Sequence, residues 1–383
     1  MDLLRSVVKM RGPFERKPDF SRFLRAITTH EPGPVPFGDL FADYDTVGKY
    51  LNEKIFDYTA LAEPGGKLTA GLARGALKYL DQSIRFCLGN GWDHTYCFSI
   101  IPFSGITYRK TENTTSEEQG RNRYYMKDDE GPISNWDDFE RYPWPKDIHN
   151  INLSARLMAK RVPDGMKVMV IPGGVFEWTT WLMGMVPFSL ALADQPDLVD
   201  AIIAKVSDLI YSVVEDLLDE PNIGGIFMGD DLGFATGTFV SPAMLRRKFF
   251  PQTKRIVDLV HSAGKVFVLH TCGNVYNVMD DLIGMGIDAK NSFEDKIMPV
   301  EQVYQRWGGK VALIGGVDMH LLTSGDESQV RVRTRQILDV CGPGGHYVLG
   351  TGNSVANFIP LQNYLAMLDE GRKWNKEHFG SEY

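Results

Sequence analysis

His270-Thr271-Cys272-Gly273 places an imidazole and a thiol two residues apart, directly before a glycine. In extended chain the side chains alternate with period two, so both groups point to one side. Imidazole nitrogen and thiolate sulfur are donors that tetrahedral zinc prefers. A hydrogen-bonded histidine beside an inert buried thiol is the other reading of the same residues, because cysteine is often simply buried. A second constellation is the pair Asp230-Asp231, set between Gly229 and Leu232-Gly233. Carboxylates there could ligate a metal, hold substrate or act as a general base. Glu177, just after Gly173-Gly174, is a further carboxylate of this kind. The oxygen donors that could complete a site with His270 and Cys272 are Glu177, Asp230, Asp231 and Asn353, with Glu177 the expected third ligand. Asp230, Asp231 and Glu177 are also the expected catalytic acids and bases.

The elements that must position these groups follow from the apolar pattern. Segments 167–173, 223–230, 265–272, 287–293, 311–318 and 346–352 are short, apolar and bounded by glycine. Such runs describe strands buried on both faces, as in parallel sheets. Residues 35–39 and 95–101 supply two more candidate strands. Residues 198–218 carry Val199, Ile202, Val206, Leu209 and Val213 at helical spacing. Ser241-Pro242 reads as an N-cap with proline at the first helical position, and Gly264 as the stop of that helix. Eight parallel strands with intervening helices predict an α/β (β/α)8 TIM barrel. The open doubly wound sheet would need a glycine-rich first strand–helix turn, which residues 35–49 lack.

The chain is expected to be one domain over 1–383, with a mostly helical N-terminal part (1–90) and a polar, hairpin-containing insertion at 104–150. In a barrel the catalytic groups sit at the C-terminal ends of strands. That rule collects Gly173 to Glu177, Asp230, Asp231, His270, Cys272, Ser292, Glu294, Asp318, Thr351 and Asn353. Asp39, Phe176, Trp178, Asp318 and Asn353 are the expected substrate contacts; the aromatics suit an apolar substrate, although core packing explains them equally well. Cys341 closes a helix and is expected on the opposite, structural end.

Composition narrows the partners. The 383 residues are 43% hydrophobic and carry a net charge of −8. That balance argues against nucleic-acid and anionic-membrane partners and leaves a small-molecule substrate. Four scattered cysteines, at 87, 97, 272 and 341, do not make a disulfide framework and fit a reducing, cytoplasmic setting. No run is long and apolar enough to span a membrane, and the first twenty residues have no signal-peptide core. Asp258 to Gly264 resembles a corrinoid-ligating D-x-H-x-x-G but has one residue too many, so a corrinoid is not expected on this chain. Gly342-Pro343-Gly344-Gly345 follows a helix and reads as a stop, not a phosphate cradle.

The strand ending in MGDDLG (228–233), Ser241-Pro242, LHTCGNV (269–275), GGVDM (315–319), CGPGGHYVLGTGN (341–353) and IPLQNYLAML (359–368) together resemble the uroporphyrinogen decarboxylase superfamily, over about residues 160–370. The resemblance implies the same (β/α)8 barrel and two chemistries. Porphyrin decarboxylases of the superfamily carry an arginine- and glycine-rich segment after the first strand; here that stretch has Asp39, Asp43 and Asp45 and no arginine. The cobamide-dependent methyltransferase branch uses zinc held by a His-x-Cys, carried over to His270 and Cys272, and commonly a third cysteine. In this chain Gly350-Thr351-Gly352-Asn353 stands there instead. The implied function is a zinc-dependent methyltransferase that moves a methyl group between a small methylated substrate or thiol acceptor and a separate corrinoid protein, and a homodimer is compatible with it. The alternative is a carboxy-lyase acting on a carboxylated aromatic or tetrapyrrole.

Overall fold

A computed structural model describes residues 17–55, 70–111, 123–126 and 128–381. Expectations for residues 1–16, for part of the helical stretch at 49–90 and for the tip of the 104–150 hairpin lie outside the described residues.

The apolar segments form seven strands: β1 (His94–Phe98), β2 (Lys167–Ile171), β3 (Ile223–Gly229), β4 (Val266–His270), β5 (Ala289–Asn291), β6 (Ala312–Ile314) and β7 (Tyr347–Val348). They lie side by side in chain order as one parallel sheet. Nearly every strand residue is buried, which is why these runs are apolar on both faces. The expected segment 35–39 is not a regular strand. Phe37 makes one parallel bridge to Trp92, ahead of β1, and another to Leu349, after β7. Gly38 N donates to Leu349 O at 3.0 Å, and Leu349 N donates to Pro36 O at 2.8 Å. Pro34 and Pro36 have no N–H to give, so a longer ladder cannot form around Phe37.

Helices cover the sheet. Pro196–Glu215 opens on proline and buries Leu198, Val199, Ile202, Val206, Leu209 and Val213, the stripe expected from spacing. Ser241 caps as expected, its side chain accepting from Met244 N at 3.2 Å. The single helix expected after it is interrupted by a wide turn at Leu245–Phe249 before Phe250–Ser262. Pro251 lacks the N–H that would bond the carbonyl one turn back, and a wide turn accommodates that loss. Gly264 then ends the helix at φ 67°. Within the insertion, Tyr108–Thr111 pairs antiparallel with Arg123–Met126, giving the expected hairpin, and Trp136–Arg141 is the short helix after it. Cys341 ends the helix Glu327–Cys341 and is buried there. Among the described residues no helix is long and apolar enough to cross a membrane.

The strands' N-terminal ends are sealed by the helix Phe20–Thr28. Asp93 accepts from Asp19 N at 2.7 Å and from Arg22 Nη2 at 2.8 Å, pinning that helix against β1. Next to it His94 is buried between Phe23 (ring centroids 4.4 Å) and Trp92 (5.5 Å), and among the described residues neither ring nitrogen has a partner within hydrogen-bond geometry. A Cβ on Gly38 would lie 2.6 Å from His94 Cε1, so glycine is what admits the ring. Burial pulls the His94 pKa from 6.5 down to about 4. The unfolded chain therefore binds a proton near pH 6.5 that the folded protein refuses until about pH 4, and stability falls as pH drops through that window. We expect wild-type unfolding free energy to fall between pH 7 and 5 by about 2 kcal/mol more than that of His94→Leu, at up to about 1.4 kcal/mol per pH unit for one proton. Urea titrations at the two pH values measure it; identical pH dependence in the two proteins would contradict the assignment.

Candidate metal centre

Three neighbouring strands, β3, β4 and β5, deliver their C-terminal ends to one place. Beyond the ladders, Asp230 N donates to His270 O at 2.9 Å and Thr271 N to Asn291 O at 2.8 Å. Thr271 Oγ1 accepts from Leu232 N at 3.0 Å, which holds the Asp-Asp loop beside the His-x-Cys. Gly273, at φ 77°, then turns the chain away; a Cβ there would fall 2.4 Å from the Gly233 carbonyl carbon.

In this arrangement His270 Nε2 lies 3.4 Å from Cys272 Sγ and 3.7 Å from Asp231 Oδ1. One ligand-type atom from each of Asp231, His270 and Cys272 falls within 4.8 Å of the other two. Zinc bonds of about 2.0–2.1 Å to nitrogen and about 2.3 Å to sulfur, at tetrahedral angles, set donor separations of roughly 3.4–3.6 Å. The His–Cys and His–Asp spacings match that requirement. The imidazole is also prepared for it. Asn291 Nδ2 donates to Ile314 O at 2.7 Å, which turns Asn291 Oδ1 toward His270 Nδ1 at 2.5 Å. An oxygen acceptor there puts the ring proton on Nδ1 and leaves a lone pair on Nε2, facing the sulfur. Burial, with Asp231 adding to it, pushes the Cys272 thiol up to about 12. Only a strong positive charge would make a thiolate of it, and that is what a metal ion supplies. The donor set fits zinc.

Asp231, not Glu177, joins His270 and Cys272 in the converging trio; its Oδ1 also accepts from Cys272 N at 2.7 Å. Glu177 stands beside the trio. Burial first, then the Asp231 and Asp230 carboxylates, hold its carboxyl well above the usual range. Asn353 does reach the site, donating from Nδ2 to Cys272 Sγ at 3.1 Å, and Ser292 Oγ lies 3.7 Å from the same sulfur. Asp39 is buried at the end of its own segment. Its Oδ1 accepts from Thr351 N at 2.9 Å and Thr351 Oγ1 at 2.8 Å, while Oδ2 has no partner among the described residues. Burial raises its pKa to about 8, with the Thr351 bonds opposing.

Other expected site residues have structural work. Asp230 accepts from Phe176 N at 3.1 Å and Glu177 N at 2.9 Å, capping the helix Val175–Met183 from outside. A Cβ on Gly174 would lie 2.2 Å from the Asp230 carboxyl carbon, so glycine is needed for that approach. Burial raises Asp230 to about 7, partly offset by those backbone donors. Phe176 packs in the core against Phe188, Phe239 and Phe249. Trp178 is buried against Phe103 and Trp181, each at 4.9 Å between ring centroids. Asp318 caps Met319–Ser324 through His320 N and Leu321 N and also accepts from Asp295 N. Asn291 and Lys290 were not among the sequence candidates. The signal was present, because Lys290-Asn291-Ser292 interrupts a strand that should read apolar throughout. Lys290 is fully buried, and burial pulls its pKa down to about 8 against the opposing influence of Cys272, Asp231 and Glu294.

The capping role of Asp230 makes a stability prediction. Asp230→Ala strands two buried backbone donors at a helix start and should lower unfolding free energy by about 2–3 kcal/mol. Urea unfolding reads this; a loss under about 0.5 kcal/mol, the scale of an ordinary surface change, would show that the cap carries no weight.

Residues 124–374, more than half of the chain, match the family model described as uroporphyrinogen decarboxylase (URO-D). No curated protein matches the chain. Among solved structures, a methyltransferase from Methanosarcina mazei is similar with a TM-score of 0.67 and 16% identity, over 93% of this chain and 99% of that one. At that identity the likeness speaks to the fold. A glycoside hydrolase family 5 protein from Bacteroides vulgatus aligns over 73% of this chain and 54% of that one, with 13% identity and a TM-score of 0.37, which carries no argument.

Proposed function

The chain belongs to the uroporphyrinogen decarboxylase family, and we propose that within it this protein is a zinc-dependent methyltransferase working with a separate corrinoid protein. The observation that carries the reading is the convergence of Asp231, His270 and Cys272 at adjoining strand ends, with the imidazole tautomer preset by Asn291. We take the Phe37 bridges as closing the seven strands into an eight-membered barrel, whose C-terminal mouth holds this trio. The likeness of the fold to a methyltransferase agrees with the reading.

A zinc ion bound by the trio would supply Lewis acidity, favouring the thiolate form of a thiol or polarising a methyl-bearing heteroatom. The chain's own residues do the rest. His270 offers a neutral nitrogen, and Cys272 and Asp231 bring negative charge. Asn353 Nδ2 donates to the sulfur and tempers its charge. Glu177, whose carboxyl is pushed well above the usual range by burial and the neighbouring aspartates, is the group placed to give or take a proton as substrate binds or leaves. Asp39, raised to about 8 and so protonated near neutrality, can donate to a polar atom of the substrate from Oδ2, which has no partner among the described residues. In this reading the corrinoid comes from a partner, which agrees with the near-motif at 258–264 being engaged otherwise: His261 Nε2 pairs with Asp288 Oδ2 at 2.9 Å, at the N-terminal end of β5. A small methylated compound or a thiol is the other substrate.

One observation favours the alternative carboxy-lyase: a buried neutral acid such as Asp39 could protonate a carbanion left by CO2 loss. The arginine-free stretch around Asp39, Asp43 and Asp45 opposes a polycarboxylate substrate.

Purified protein should retain about one zinc per chain. With zinc bound it should demethylate methylcob(III)alamin in the presence of a suitable thiol, or methylate cob(I)alamin from a methylated donor. Cys272→Ala and His270→Ala should each lower the rate by at least about 100-fold, more than loss of an outer hydrogen-bond partner. The cobalt–carbon absorbance follows the reaction. Failure to bind zinc, together with CO2 release from uroporphyrinogen or an aromatic acid, would replace this reading with the lyase.

A further inference from the structure

Lys290 is out of place for a core lysine. It pairs in register with Leu269 on β4, so its side chain leaves the strand on the face opposite the His270–Asn291 pair, behind the site. A strand buried on both faces normally carries an apolar residue at such a position. Lys290 instead places a fully buried ammonium there. Its Nζ donates to Ser292 O at 2.6 Å and to Thr271 O at 3.3 Å, and it stands 4.5 Å from the Phe293 ring centroid. Among the described residues no ion pair joins it to a carboxylate. The part-buried arginines of this protein are treated differently: Arg333 is matched by Asp295 and Glu301, and Arg156 by Asp216 and Glu220.

A buried cation without an ion pair is costly, and neutral carbonyls offset only part of that cost. The remaining compensation must come from the surrounding field. The acidic groups that favour the charge on Lys290 are Cys272, Asp231 and Glu294, two of which belong to the converging trio. The two carbonyls it grips are equally placed for that trio. Thr271 O lies between His270 and Cys272, and Ser292 O belongs to the residue whose hydroxyl faces Cys272 Sγ. One ammonium thus fastens the end of β4 to the end of β5 at the height of the donors.

We infer that Lys290 is a positioning residue for the metal centre: it supplies positive charge beside Asp231 and beside the thiolate that Cys272 would become on binding metal, and it fixes the two strand ends that carry Cys272 and Ser292. This rests on the reading of Asp231, His270 and Cys272 as a metal centre. It separates two roles that a core lysine would not separate. Without metal, the buried charge is a burden, so an apolar residue of similar length should leave stability equal or improve it. With metal, loss of the charge and of both anchors should loosen the donors.

The test is Lys290→Met, compared with wild type in two measurements. Cobalt(II) and zinc affinities are read by competition with a chromophoric chelator, with the sulfur-to-cobalt charge-transfer band recorded. Urea unfolding of the metal-free protein is read beside them. Affinity should fall about 10–100-fold, the range for outer partners of metal ligands, with a shifted or weakened charge-transfer band and no loss of metal-free stability. Unchanged affinity and band would overturn the inference, as would a metal-free protein that loses stability in step with affinity. Should the methionine variant fail to fold, Lys290→Arg and Lys290→Gln decide the question. Arginine should hold affinity within about threefold and glutamine should lose about tenfold or more; equal losses would overturn the inference. Wild-type protein that binds neither metal contradicts the metal centre itself, whereas normal wild-type binding with indifferent variants contradicts Lys290 alone.

Discussion

The hydrogen bond between His270 Nδ1 and Asn291 Oδ1 ties this protein's chemistry to its fold. Asn291 is itself oriented by the Ile314 carbonyl, so the bond runs across three adjacent strands, β4, β5 and β6. A parallel sheet brings those strand ends to one level, and the amide then decides which imidazole nitrogen carries the proton. If the strands slipped by one residue, His270 and Asn291 would face opposite sides and the nitrogen lone pair would be lost. The site's chemistry is therefore a consequence of sheet register before it is a matter of donor identity.

The loop after β3 is controlled in a similar way. Asp230 is spent on the start of the helix that follows β2, which Gly174 permits by leaving space for its carboxyl. That frees the next residue, Asp231, to face the sulfur and the imidazole. Two adjacent aspartates thus divide the labour: one fixes backbone, the other faces the site. Around them charge is concentrated in a buried volume. Asp39 responds by holding its proton, Glu177 by a carboxyl pushed well above the usual range, Cys272 by resisting ionisation, and Lys290 by remaining as the cation behind the cluster. A divalent cation bound there would relieve several of these costs together.

Much of this was legible in the sequence, and the failures have physical causes. The seven regular strands were readable because residues buried on both faces must be apolar. The member at 35–39 was readable as apolar, but its prolines limit it to a single bridging residue. His270 and Cys272 lie together at a strand end, as period-two geometry implies. The approach of Asp231 to them was not legible, since alternation says nothing about which of two adjacent aspartates turns inward. Asp230 looked catalytic and Asp318 looked like a substrate contact because capping carboxylates and carboxylates that serve a site occupy the same strand-end loops. Phe176 looked like a pocket wall, and its neighbours make it core. Asn291 and Lys290 are not ligand-type residues; their signal is polar side chains in the middle of an otherwise apolar strand.

The most direct test of the account is X-ray absorption at the zinc edge of the zinc-loaded protein. One sulfur at about 2.3 Å with nitrogen and oxygen neighbours at about 2.0–2.2 Å, the sulfur disappearing in Cys272→Ala, is the result the structure predicts. A zinc environment made only of nitrogen and oxygen in the wild-type protein would contradict it, because Cys272 would then stand outside the chemistry that the fold arranges around it.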